Sequence, residues 1–319
     1  MSQIDVIIVS WNTRELLAQC LAAVFASPAP PAVEVWVVDN GSTDGSAQMV
    51  VACYPAAKLI QNQDNIGFSR ANNQVLQRLT APYALLLNPD AILQPGTLAS
   101  LWAWMEANPA AGVIGPTLVN PDGSFQAAGN DFPGLLTQWL IIAGMAHRLL
   151  GPYFPSHGPA QTQTAVRTDW VGGACLLART EAIRTVGILD EAFFMYAEET
   201  DWCYRMWQAD WEVYWLPAAR CVHWRGQSSG QAQILTPARL AQAAYLFFRK
   251  HYGQPKTVLL QLGMVIFGLA KAAAFAVAYL ASGAQRGLWK AKITANWRIA
   301  RQGLAPNHLM PGHGAFGPG

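Results

Sequence analysis

The sequence predicts an α/β fold in which helices flank a mainly parallel sheet. Short apolar runs alternate with segments of helical periodicity between residues 6 and 87, which is the order expected of parallel strands joined by helices. Two of these runs end at a turn that carries a carboxylate, Asp39 and Asp90. Because parallel sheets bind ligands at the carboxyl ends of their strands, both carboxylates are expected at a ligand site.

The first elements follow from the apolar runs and the turn residues between them. A buried strand is predicted at residues 6–10 and a helix at 13–26, which Thr13 or Asn12 caps and the Pro-rich segment 27–31 stops. The elements predicted next are a strand at 33–38 with a turn cluster at 39–45 and then a helix, a third strand at 59–61, a helix at 67–79 and an apolar strand at 83–87.

The second part of the chain is less regular. The alternation is lost between about residues 130 and 165, where 135–150 predicts an apolar helix followed by a loop rich in Gly and Pro. The α/β pattern returns with an apolar run at 170–177 and a helix near 179–186.

Composition and charge bear on partners and compartment. Of 319 residues, 52% are hydrophobic and 13% charged. The five cysteines form no CxxC pair, which fits a reducing compartment and argues against a disulfide framework or a zinc knuckle. No signal peptide is expected, because the start lacks a basic segment and a long apolar run. We therefore expect the body of the protein in the cytoplasm.

Charge divides the chain sharply. All nineteen acids lie at or before Glu212, together with nine Lys and Arg, whereas twelve Lys and Arg and no acid follow. The two parts carry formal charges of 9 − 19 = −10 and +12. The basic residues of the second part border apolar runs, so an anionic phospholipid surface is a better expected partner than nucleic acid.

The segment 257–285 is almost continuously apolar and is interrupted by Lys271. On a helical wheel its polar positions fall in one narrow arc, which is typical of a helix lying in the membrane interface, and Trp and basic residues alternate in 288–298. A buried core helix and a spanning helix with Lys271 near its centre are the alternatives. The arc comprises Thr257, Gln261, Gly268, Lys271 and Ser282.

Four polar clusters are candidates for chemistry. Asp39 leaves a strand into a Gly/Ser/Thr turn, where it can accept hydrogen bonds from a base or ribose, although a turn needs such residues in any case. Asp90, in Asn88-Pro-Asp90, is placed to hold a divalent cation together with substrate phosphates, and an Asn-Pro-Asp turn without function is the alternative.

The third cluster contains Glu198, Glu199 and Asp201. Carboxylates this close raise one another's pKa, so one of them can serve as a general base. The alternative is an acidic first turn that favours the helix dipole. The fourth is His223 beside Arg225 and a small-residue loop, which can offer an imidazole to a metal and donors to a diphosphate. A lone His is more often structural.

Taken in order, these clusters resemble inverting glycosyltransferase family 2, whose members have the GT-A fold. The resemblance covers about residues 4–252 and is carried by Asp39, the 65–73 run, Asn88-Pro-Asp90, Gly172-Gly173, the 198–202 run and His223. The runs 193–201, 223–228 and 247–253 resemble most the rhamnosyltransferase branch that builds bacterial cell-surface polysaccharides. The resemblance implies a Rossmann-like mixed sheet flanked by helices. The C-terminal amphipathic, membrane-associated helical tail predicted above follows it.

Residue roles follow from the resemblance, position by position. Asp39 matches the residue that contacts uracil or thymine, Asp90 the last residue of the metal-binding Asp-x-Asp motif, and His223 the late His near the metal or diphosphate. Glu199 matches the base, with Asp201 as the second candidate. The chain departs from the pattern where Asn88 replaces the first Asp and where Glu199 stands for the usual Asp. The expected nucleotide-sugar-binding residues are Ser10, Asn12, Asp39, Asn40, Gly41, Asn65, Gly67, Arg70, Asn88 and Gly173.

The resemblance further implies an enzyme that uses Mg²⁺ or Mn²⁺ and transfers sugar, with dTDP-rhamnose as the favoured donor, to a polyprenyl-diphosphate-linked or other saccharide. The expected place is the cytoplasmic face of the membrane, with peripheral attachment. The expected domains are a transferase domain at 1–252, with a nucleotide-sugar half (1–125) and an acceptor half (126–252), and a tail at 253–319. A sugar-1-phosphate nucleotidyltransferase and a non-catalytic, membrane-recruited nucleotide-sugar-binding protein are the alternatives.

Overall fold

A computed structural model describes residues 3–28, 30–160, 162–224, 236–281 and 285–305. Its centre is one sheet of ten strands in the order β3-β2-β1-β4-β9-β6-β10-β5, with β7 paired to β6 and β8 to β10. The strands are β1 (Ile4–Ser10), β2 (Val33–Asp39), β3 (Lys58–Gln61), β4 (Tyr83–Leu87), β5 (Ala91–Leu93), β6 (Ala111–Val119), β7 (Phe125–Ala127), β8 (Val166–Arg167), β9 (Cys175–Arg179) and β10 (Glu212–His223).

The sheet is mixed. Strands β1 to β4 are mutually parallel, β9 runs antiparallel to both β4 and β6, and β10 is parallel to β6. The apolar alternation alone predicted a mainly parallel sheet, because burial on both faces gives parallel and antiparallel central strands the same apolar pattern. The mixed sheet expected from the family resemblance is the one observed.

Helices cover both faces of the sheet. Along β1, Ile4, Val6 and Ile8 pack into one core with α1, α2 and α4, whereas Ile7 and Val9 pack into the other with α3, α7 and α8, as the twofold side-chain period of a strand requires. These helices are α1 (Arg14–Phe25), α2 (Ser46–Cys53), α3 (Phe68–Leu76), α4 (Thr97–Ala107), α7 (Thr180–Val186) and α8 (Glu198–Gln208).

The predicted helix at 135–150 is two helices, α5 (Leu135–Ala143) and α6 (Ala146–Leu150). Gly144 lies between them with φ of +79°, a left-handed conformation that ends a helix and that glycine adopts without steric cost. The chain therefore changes direction at Gly144.

The last described segment is helical and has its own core. Helices α9 (Thr236–His251), α10 (Gly253–Ala281) and α11 (Arg286–Leu304) follow in turn, and Phe247, Phe248, Leu260 and Met264 are buried together. Among the described residues α10 alone is long and apolar enough to cross a membrane, judged by length and composition, and 28% of its most apolar window is buried.

The polar arc of α10 faces the protein. Gln261 Nε2 donates to Gly303 O at 3.0 Å, Lys271 Nζ donates to Ile142 O at 3.0 Å, and a Cβ on Gly268 would lie 2.9 Å from Ala300 N. For a helix lying in the membrane interface, this polar arc would be expected to face water. In the structure α5 and α11 cover the arc, and the apolar side of α10 is exposed. Ser282 lies outside the described residues.

Candidate active site

Several segments bring polar side chains to one edge of the sheet. Ser10 at the end of β1 pairs in register with Asp39 at the end of β2, and Asn88, which directly follows β4, donates its backbone N–H to Ala174 O at 2.9 Å. Trp224, after β10, donates its backbone N–H to Asp90 O at 2.9 Å. The carboxyl ends of β1, β2, β4 and β10 and the start of β9 therefore meet, as the topology requires of parallel neighbours.

Asp39 is 3% exposed, and its two oxygens differ. Oδ1 accepts from the backbone N–H of Ser42 at 2.9 Å, whereas Oδ2 is buried without a hydrogen-bond partner. A buried acceptor without a partner costs free energy, so Asp39 Oδ2 is suited to receive a donor from a ligand.

Asn12 holds the loop beside Asp39. Its backbone N–H donates to Ser42 Oγ at 2.9 Å and its Oδ1 accepts from Thr43 N at 2.8 Å. Ser10 is fully buried and its Oγ lies 3.0 Å from Thr13 Oγ1. Both predicted nucleotide contacts therefore have their side chains engaged: Asn12 joins the loops after β1 and β2, and Ser10 braces the loop after β1.

Asn40 and Asn65 form a second link between loops. Asn40 Nδ2 donates to Asn65 Oδ1 at 3.2 Å and to Gly67 O at 3.3 Å, and Asn40 Oδ1 accepts from Asn62 Nδ2 at 2.9 Å. A side chain at Gly41, whose φ is +79°, would come within 2.8 Å of Gln63 O. These residues shape the rim around Asp39, because their polar groups are satisfied by one another.

The start of α3 clamps the loop that leads to α8. Ser69 Oγ donates to Phe193 O at 2.6 Å, and Phe68 N donates to Phe194 O at 2.8 Å. Gly67 has φ of +89°, and a Cβ there would overlap the Phe194 ring at 2.7 Å. Arg70 Nε pairs with Glu191 Oε2 at 3.2 Å. Gly67 and Arg70, predicted as nucleotide ligands, thus also position the loop before the candidate base.

Asp90 and His223 lie side by side. His223 Nε2 is 3.3 Å from Asp90 Oδ1, which is buried and makes no hydrogen bond of good geometry. His223 Nδ1 lies 2.7 Å from Gln126 Oε1, and Gln126 Nε2 donates to His223 O at 2.8 Å. Gln126 orients the ring, because a carbonyl acceptor on Nδ1 leaves the Nε2 lone pair free to bind a metal.

This pair passes a chemical test for a divalent cation. Mg²⁺ and Mn²⁺ are commonly held by one or two protein ligands and substrate phosphates, and Asp90 Oδ1 is a buried oxygen without a hydrogen bond. Within the described part of the chain no cluster of three or more His, Cys, Asp or Glu residues forms a ligand set. The remaining ligands would have to come from a substrate diphosphate or from water.

Glu199 lies in the first turn of α8 against Gly173. A Cβ on Gly173 would sit 3.6 Å from Glu199 Cβ, an ordinary van der Waals distance, so the Glu199 side chain lies directly against this segment. Burial raises the pKa of Glu199 to about 6, although backbone hydrogen bonds from Glu199, Gly173 and Thr200 act in the opposite direction. Its Oε2 is buried and without a hydrogen-bond partner.

Glu198 adjoins this carboxylate. Burial and the charge of Glu199 raise the pKa of Glu198 well above its ordinary value. Tyr196 and Ala197, just before it, have φ of +76° and +64°, which is uncommon for residues with side chains and requires support from the surroundings. The loop clamped by α3 supplies that support. A strained turn thus delivers two carboxyl groups with raised pKa values to the edge of the sheet.

Asp201 has different surroundings. Its Oδ2 accepts from Arg205 Nε at 2.9 Å, and its Oδ1 lies 2.7 Å from both Lys250 Nζ and His251 Nε2. Burial opposes ionisation, yet the His251 hydrogen bond and the neighbouring positive charges together lower the pKa of Asp201. With both oxygens occupied, Asp201 is a poor candidate for the base, and the geometry argues against this second assignment.

The sequence did not predict the roles of two kinds of supporting residue. Gln126 sets the His223 ring, and Asn62 supports Asn40, but a lone glutamine or asparagine in a turn-rich stretch carries no pattern. Lys250 and His251 belong to a run that supported the rhamnosyltransferase resemblance, and the structure shows that they hold Asp201. Arg225, a predicted phosphate donor, lies outside the described residues.

A depression of about 690 Å³ lined by Trp207, Trp211, Arg167 and Glu212 lies elsewhere. It is at the amino ends of β6 and β10, the edge opposite the carboxylates. Arg167 Nη1 pairs with Glu212 Oε1 at 3.2 Å. Because the depression lies far from the candidate carboxylates and its one arginine is paired with Glu212, it is not the candidate site.

Comparison with known proteins agrees with this geometry. Residues 5–171 match the family model of glycosyl transferase family 2. An N-acetylglucosaminyl-diphospho-decaprenol L-rhamnosyltransferase of Mycobacterium tuberculosis is 29% identical over 269 residues, which cover 78% of this chain and 85% of that protein. A low-salt glycan biosynthesis hexosyltransferase of Haloferax volcanii is 24% identical over 64% of this chain and 62% of its own length. The predicted resemblance to this family and to its rhamnosyltransferase branch is confirmed.

A solved structure shares the fold. A mannosyltransferase from Pyrobaculum calidifontis, in complex with GDP-Man and Mn²⁺, superposes with a TM-score of 0.59 at 17% identity and covers 96% of this chain and 88% of its own. At 17% identity this similarity shows a shared fold and nothing more. It confirms the predicted GT-A architecture.

Proposed function

The chain belongs to glycosyl transferase family 2, and we propose that it transfers rhamnose from dTDP-rhamnose, with inversion, to a polyprenyl-diphosphate-linked saccharide. It is therefore a glycosyltransferase rather than the nucleotidyltransferase or the non-catalytic binding protein weighed from the sequence. One observation carries the proposal further. Two buried carboxylate oxygens without hydrogen-bond partners lie at the same edge of the sheet. One belongs to Asp90, beside His223, and the other to Glu199, beside Gly173.

Glu199 is the proposed general base. A carboxylate whose pKa is about 6 is ionised at neutral pH but basic enough to accept a proton from an alcohol as it attacks. The oxygen of the acceptor hydroxyl then bonds to the anomeric carbon as the bond to the diphosphate breaks on the opposite face, and the proton passes to Glu199. One such displacement inverts the anomeric configuration.

Asp90 and His223 would hold the divalent cation, with Gln126 fixing the imidazole. Mg²⁺ or Mn²⁺ bound there would neutralise charge that develops on the leaving diphosphate. Since Asn88 stands where the family has a first carboxylate, the protein contributes one carboxylate rather than two. Metal binding is then expected to depend strongly on the donor diphosphate.

The donor side is assigned to the rim around Asp39. Asp39 Oδ2 would accept from the base or ribose, while the loops held by Asn12, Asn40, Asn65 and Gly67 would enclose the nucleotide. Rhamnose and a lipid-linked acceptor are proposed because the M. tuberculosis relative is named for transfer of L-rhamnose to N-acetylglucosaminyl-diphospho-decaprenol.

The tail gives a physical reason for a lipid-linked acceptor. We propose a transferase domain at 1–252, with donor and acceptor halves meeting near residue 125, and a tail at 253–319 that attaches the protein to the cytoplasmic face of the membrane. The exposed apolar side of α10 supports attachment. The polar arc of α10 supports a peripheral position. Because the arc is bound to α11 and to α5 of the transferase domain, α10 lies along that domain and does not stand apart from it.

Thermal unfolding with nucleotide sugars tests the donor assignment. With dTDP-rhamnose at about 100 times its dissociation constant, binding should stabilise the protein by about 2.7 kcal/mol, and only when Mn²⁺ or Mg²⁺ is present. UDP-glucose and GDP-mannose serve as comparison donors. Transfer to a synthetic N-acetylglucosaminyl diphospho-polyprenol, with NMR of the product, reports the anomeric configuration. A retained configuration, or no stabilisation by any nucleotide sugar, would contradict the proposal.

A further inference from the structure

Helices α5 and α6 expose an unusual amount of apolar surface. Five large apolar side chains on these helices and the turn between them, and Tyr153 just after α6, are between 41% and 66% exposed. Exposed apolar residues scattered singly are normal, but a contiguous group marks an interaction site. The six are Leu136, Ile141, Met145, Leu149, Leu150 and Tyr153.

The charge around these helices has one sign. Between Phe132 and Thr168 the sequence contains no Asp or Glu, whereas His147 and Arg148 lie in the last turn of α6. The flanking acids are engaged at the base of the segment: Asp131 pairs with His157 at 2.8 Å and Asp169 accepts from Phe132 N at 2.7 Å. The chain from Val213 onward, which includes the tail, has the same acid-free character.

The α5–α6 surface continues into α10. Trp139 Nε1 donates to Leu259 O at 3.2 Å, and a Cβ on Gly263 would overlap the Trp139 indole. The outward apolar residues of α10 are spaced by three, four or eight positions and so lie on one side of the helix. They are Val258, Leu262, Ile266, Leu269, Val277 and Leu280.

The same segment is joined to the catalytic helix. The ring of Phe132 lies 4.8 Å from that of Tyr204 on α8, and 6.4 Å from that of Phe247 on α9. Because α8 begins with Glu198 and Glu199, the residue three positions before α5 packs on the helix that carries the proposed base.

We propose that α5–α6 is a second membrane-contacting element, which inserts its exposed apolar residues into an anionic phospholipid leaflet together with the outer side of α10. This rests on the proposed membrane association of the tail. Apolar side chains bordered by Arg, His and Lys, without acids, suit the interface of such a leaflet. A second copy of the chain is a poorer occupant, because two acid-free basic surfaces repel each other.

Vesicle co-sedimentation of the full-length protein tests the proposal. The triple variant Leu136→Glu, Leu149→Glu, Leu150→Glu changes only exposed positions, and its binding to phosphatidylcholine/phosphatidylglycerol vesicles should fall more than about tenfold, because each carboxylate opposes interfacial insertion. Val51→Glu, a 64% exposed position on α2, is the matched control and should bind like the wild type. Circular dichroism melting checks the fold, and Leu149→Glu alone replaces the triple variant if that variant unfolds.

The outcomes separate the two proposals. Loss of binding in the triple variant but not in Val51→Glu supports a second membrane element. If the triple variant binds as well as Val51→Glu, while Val277→Glu with Leu280→Glu on α10 weakens binding, the tail attaches the protein alone and α5–α6 is excluded. Unchanged vesicle binding with a smaller mass by light scattering would identify a second copy as the occupant, which also overturns the proposal. If the wild type itself stays in the supernatant, the proposed membrane association fails first.

Discussion

Glu199 and Asp201 lie two residues apart on α8 and yet have opposite electrostatic surroundings. Glu199 is enclosed beside Gly173 with an oxygen that lacks a hydrogen-bond partner, so burial raises its pKa to about 6. Asp201 is surrounded by Arg205, Lys250 and His251, and its pKa is lowered. Residues at i and i+2 point to different sides of a helix. One carboxylate is thereby kept available for proton transfer while the other joins helices.

Replacing Glu199 by Gln should reduce kcat by about 10²- to 10⁴-fold, as expected for loss of a general base. In the wild type kcat/KM should fall as pH drops below about 6, because protonated Glu199 cannot accept a proton. Steady-state kinetics across pH measures both. Val51→Glu should retain normal activity, and near-full transfer by Glu199→Gln with every donor would refute the base assignment.

The same substitution should stabilise the protein at neutral pH. The pKa of Glu199 is raised on folding from 4.5 to about 6, so its ionised form opposes folding, and the protonated form favours it, most fully below pH 4.5. The Gln variant should melt higher than the wild type above pH 6, by about 1–2 kcal/mol in unfolding free energy. This advantage should shrink as pH falls toward 4.5. A lower melting temperature at pH 7 would contradict the burial argument.

Asp201→Asn should mainly destabilise the fold. Removing one partner of a buried ion pair costs about 3–5 kcal/mol, because Arg205, Lys250 and His251 lose their shared acceptor. Since the pKa of Asp201 is lowered in the folded state, its stabilising effect is present above the unfolded value and is lost as pH falls through the folded value. Urea unfolding of the variant at neutral pH measures the loss. Unchanged stability with abolished activity would instead favour Asp201 as the base.

Gln126→Leu tests the metal assignment without touching a proposed ligand. Without the amide the His223 ring loses its orienting partner, and loss of such a partner weakens metal affinity by about 10- to 100-fold. The Mn²⁺ concentration for half-maximal activity should rise by that factor, while kcat recovers at saturating Mn²⁺. Gln77→Leu, at an exposed position after α3, is the control, and an unchanged Mn²⁺ requirement would argue against His223 as a ligand.

At the scale of elements, small residues allow α10 and α11 to pack closely. A Cβ on Gly268 would meet Ala300 N at 2.9 Å and Asn296 O at 3.0 Å, and one on Gly303 would meet Gln261 O at 2.7 Å. These atoms belong to backbone, which cannot turn aside. The close packing brings Gln261 within reach of the Gly303 carbonyl, so the polar arc of α10 is satisfied within the protein.

Two Gly-to-Ala substitutions should therefore have opposite effects. Ala normally stabilises a helix interior by about 1 kcal/mol relative to Gly, and Gly287, the second residue of α11 with nothing within 4 Å of an added Cβ, should show a gain of the same sign but smaller size. Gly268→Ala should lower the melting temperature, because α10 must move away from α11. Thermal unfolding of both variants in the same detergent makes the comparison. A stabilised Gly268→Ala would show that this contact is loose.

At the scale of the whole molecule, charge and apolar surface coincide. The chain carries about −10 before Val213 and +12 from there on, and the exposed apolar sides of α5, α6 and α10 lie in acid-free segments. An anionic leaflet would attract the basic part and repel the acidic body. The rest of the body would then stay in water while α5–α6 and the tail meet lipid.

Binding to anionic vesicles should accordingly weaken with salt but persist. The Debye length falls from about 10 Å at 0.1 M to about 3 Å at 1 M salt, which removes the electrostatic part, whereas the apolar contribution remains. Co-sedimentation with phosphatidylglycerol-containing vesicles over this range measures the slope, and pure phosphatidylcholine vesicles should show little slope. Complete release at high salt would mean that apolar insertion contributes nothing.

The sequence by itself determined the fold class, the order of the first strands and helices, and the polar clusters at strand ends. β4 was predicted with its observed bounds, and β1, β2 and β3 within two residues, because local apolar periodicity and Gly, Pro and Asp turns specify them. The ordered clusters also sufficed to identify the family. Glu199 and Asp90 were predicted as candidates from these local signals, and their roles stay predictions.

The tertiary structure alone decided which groups meet. The contact of Gln126 with His223, the bond of Asp201 to His251 and the inward polar arc of α10 join residues that are 42 to 129 positions apart. The antiparallel insertion of β9 between β4 and β6 is likewise a pairing of distant segments. Local sequence carries propensity and periodicity, but it does not record which distant partner satisfies a buried charge or amide. A carboxylate's pKa depends on that partner, so the base and the structural acid become distinguishable only once the chain is folded.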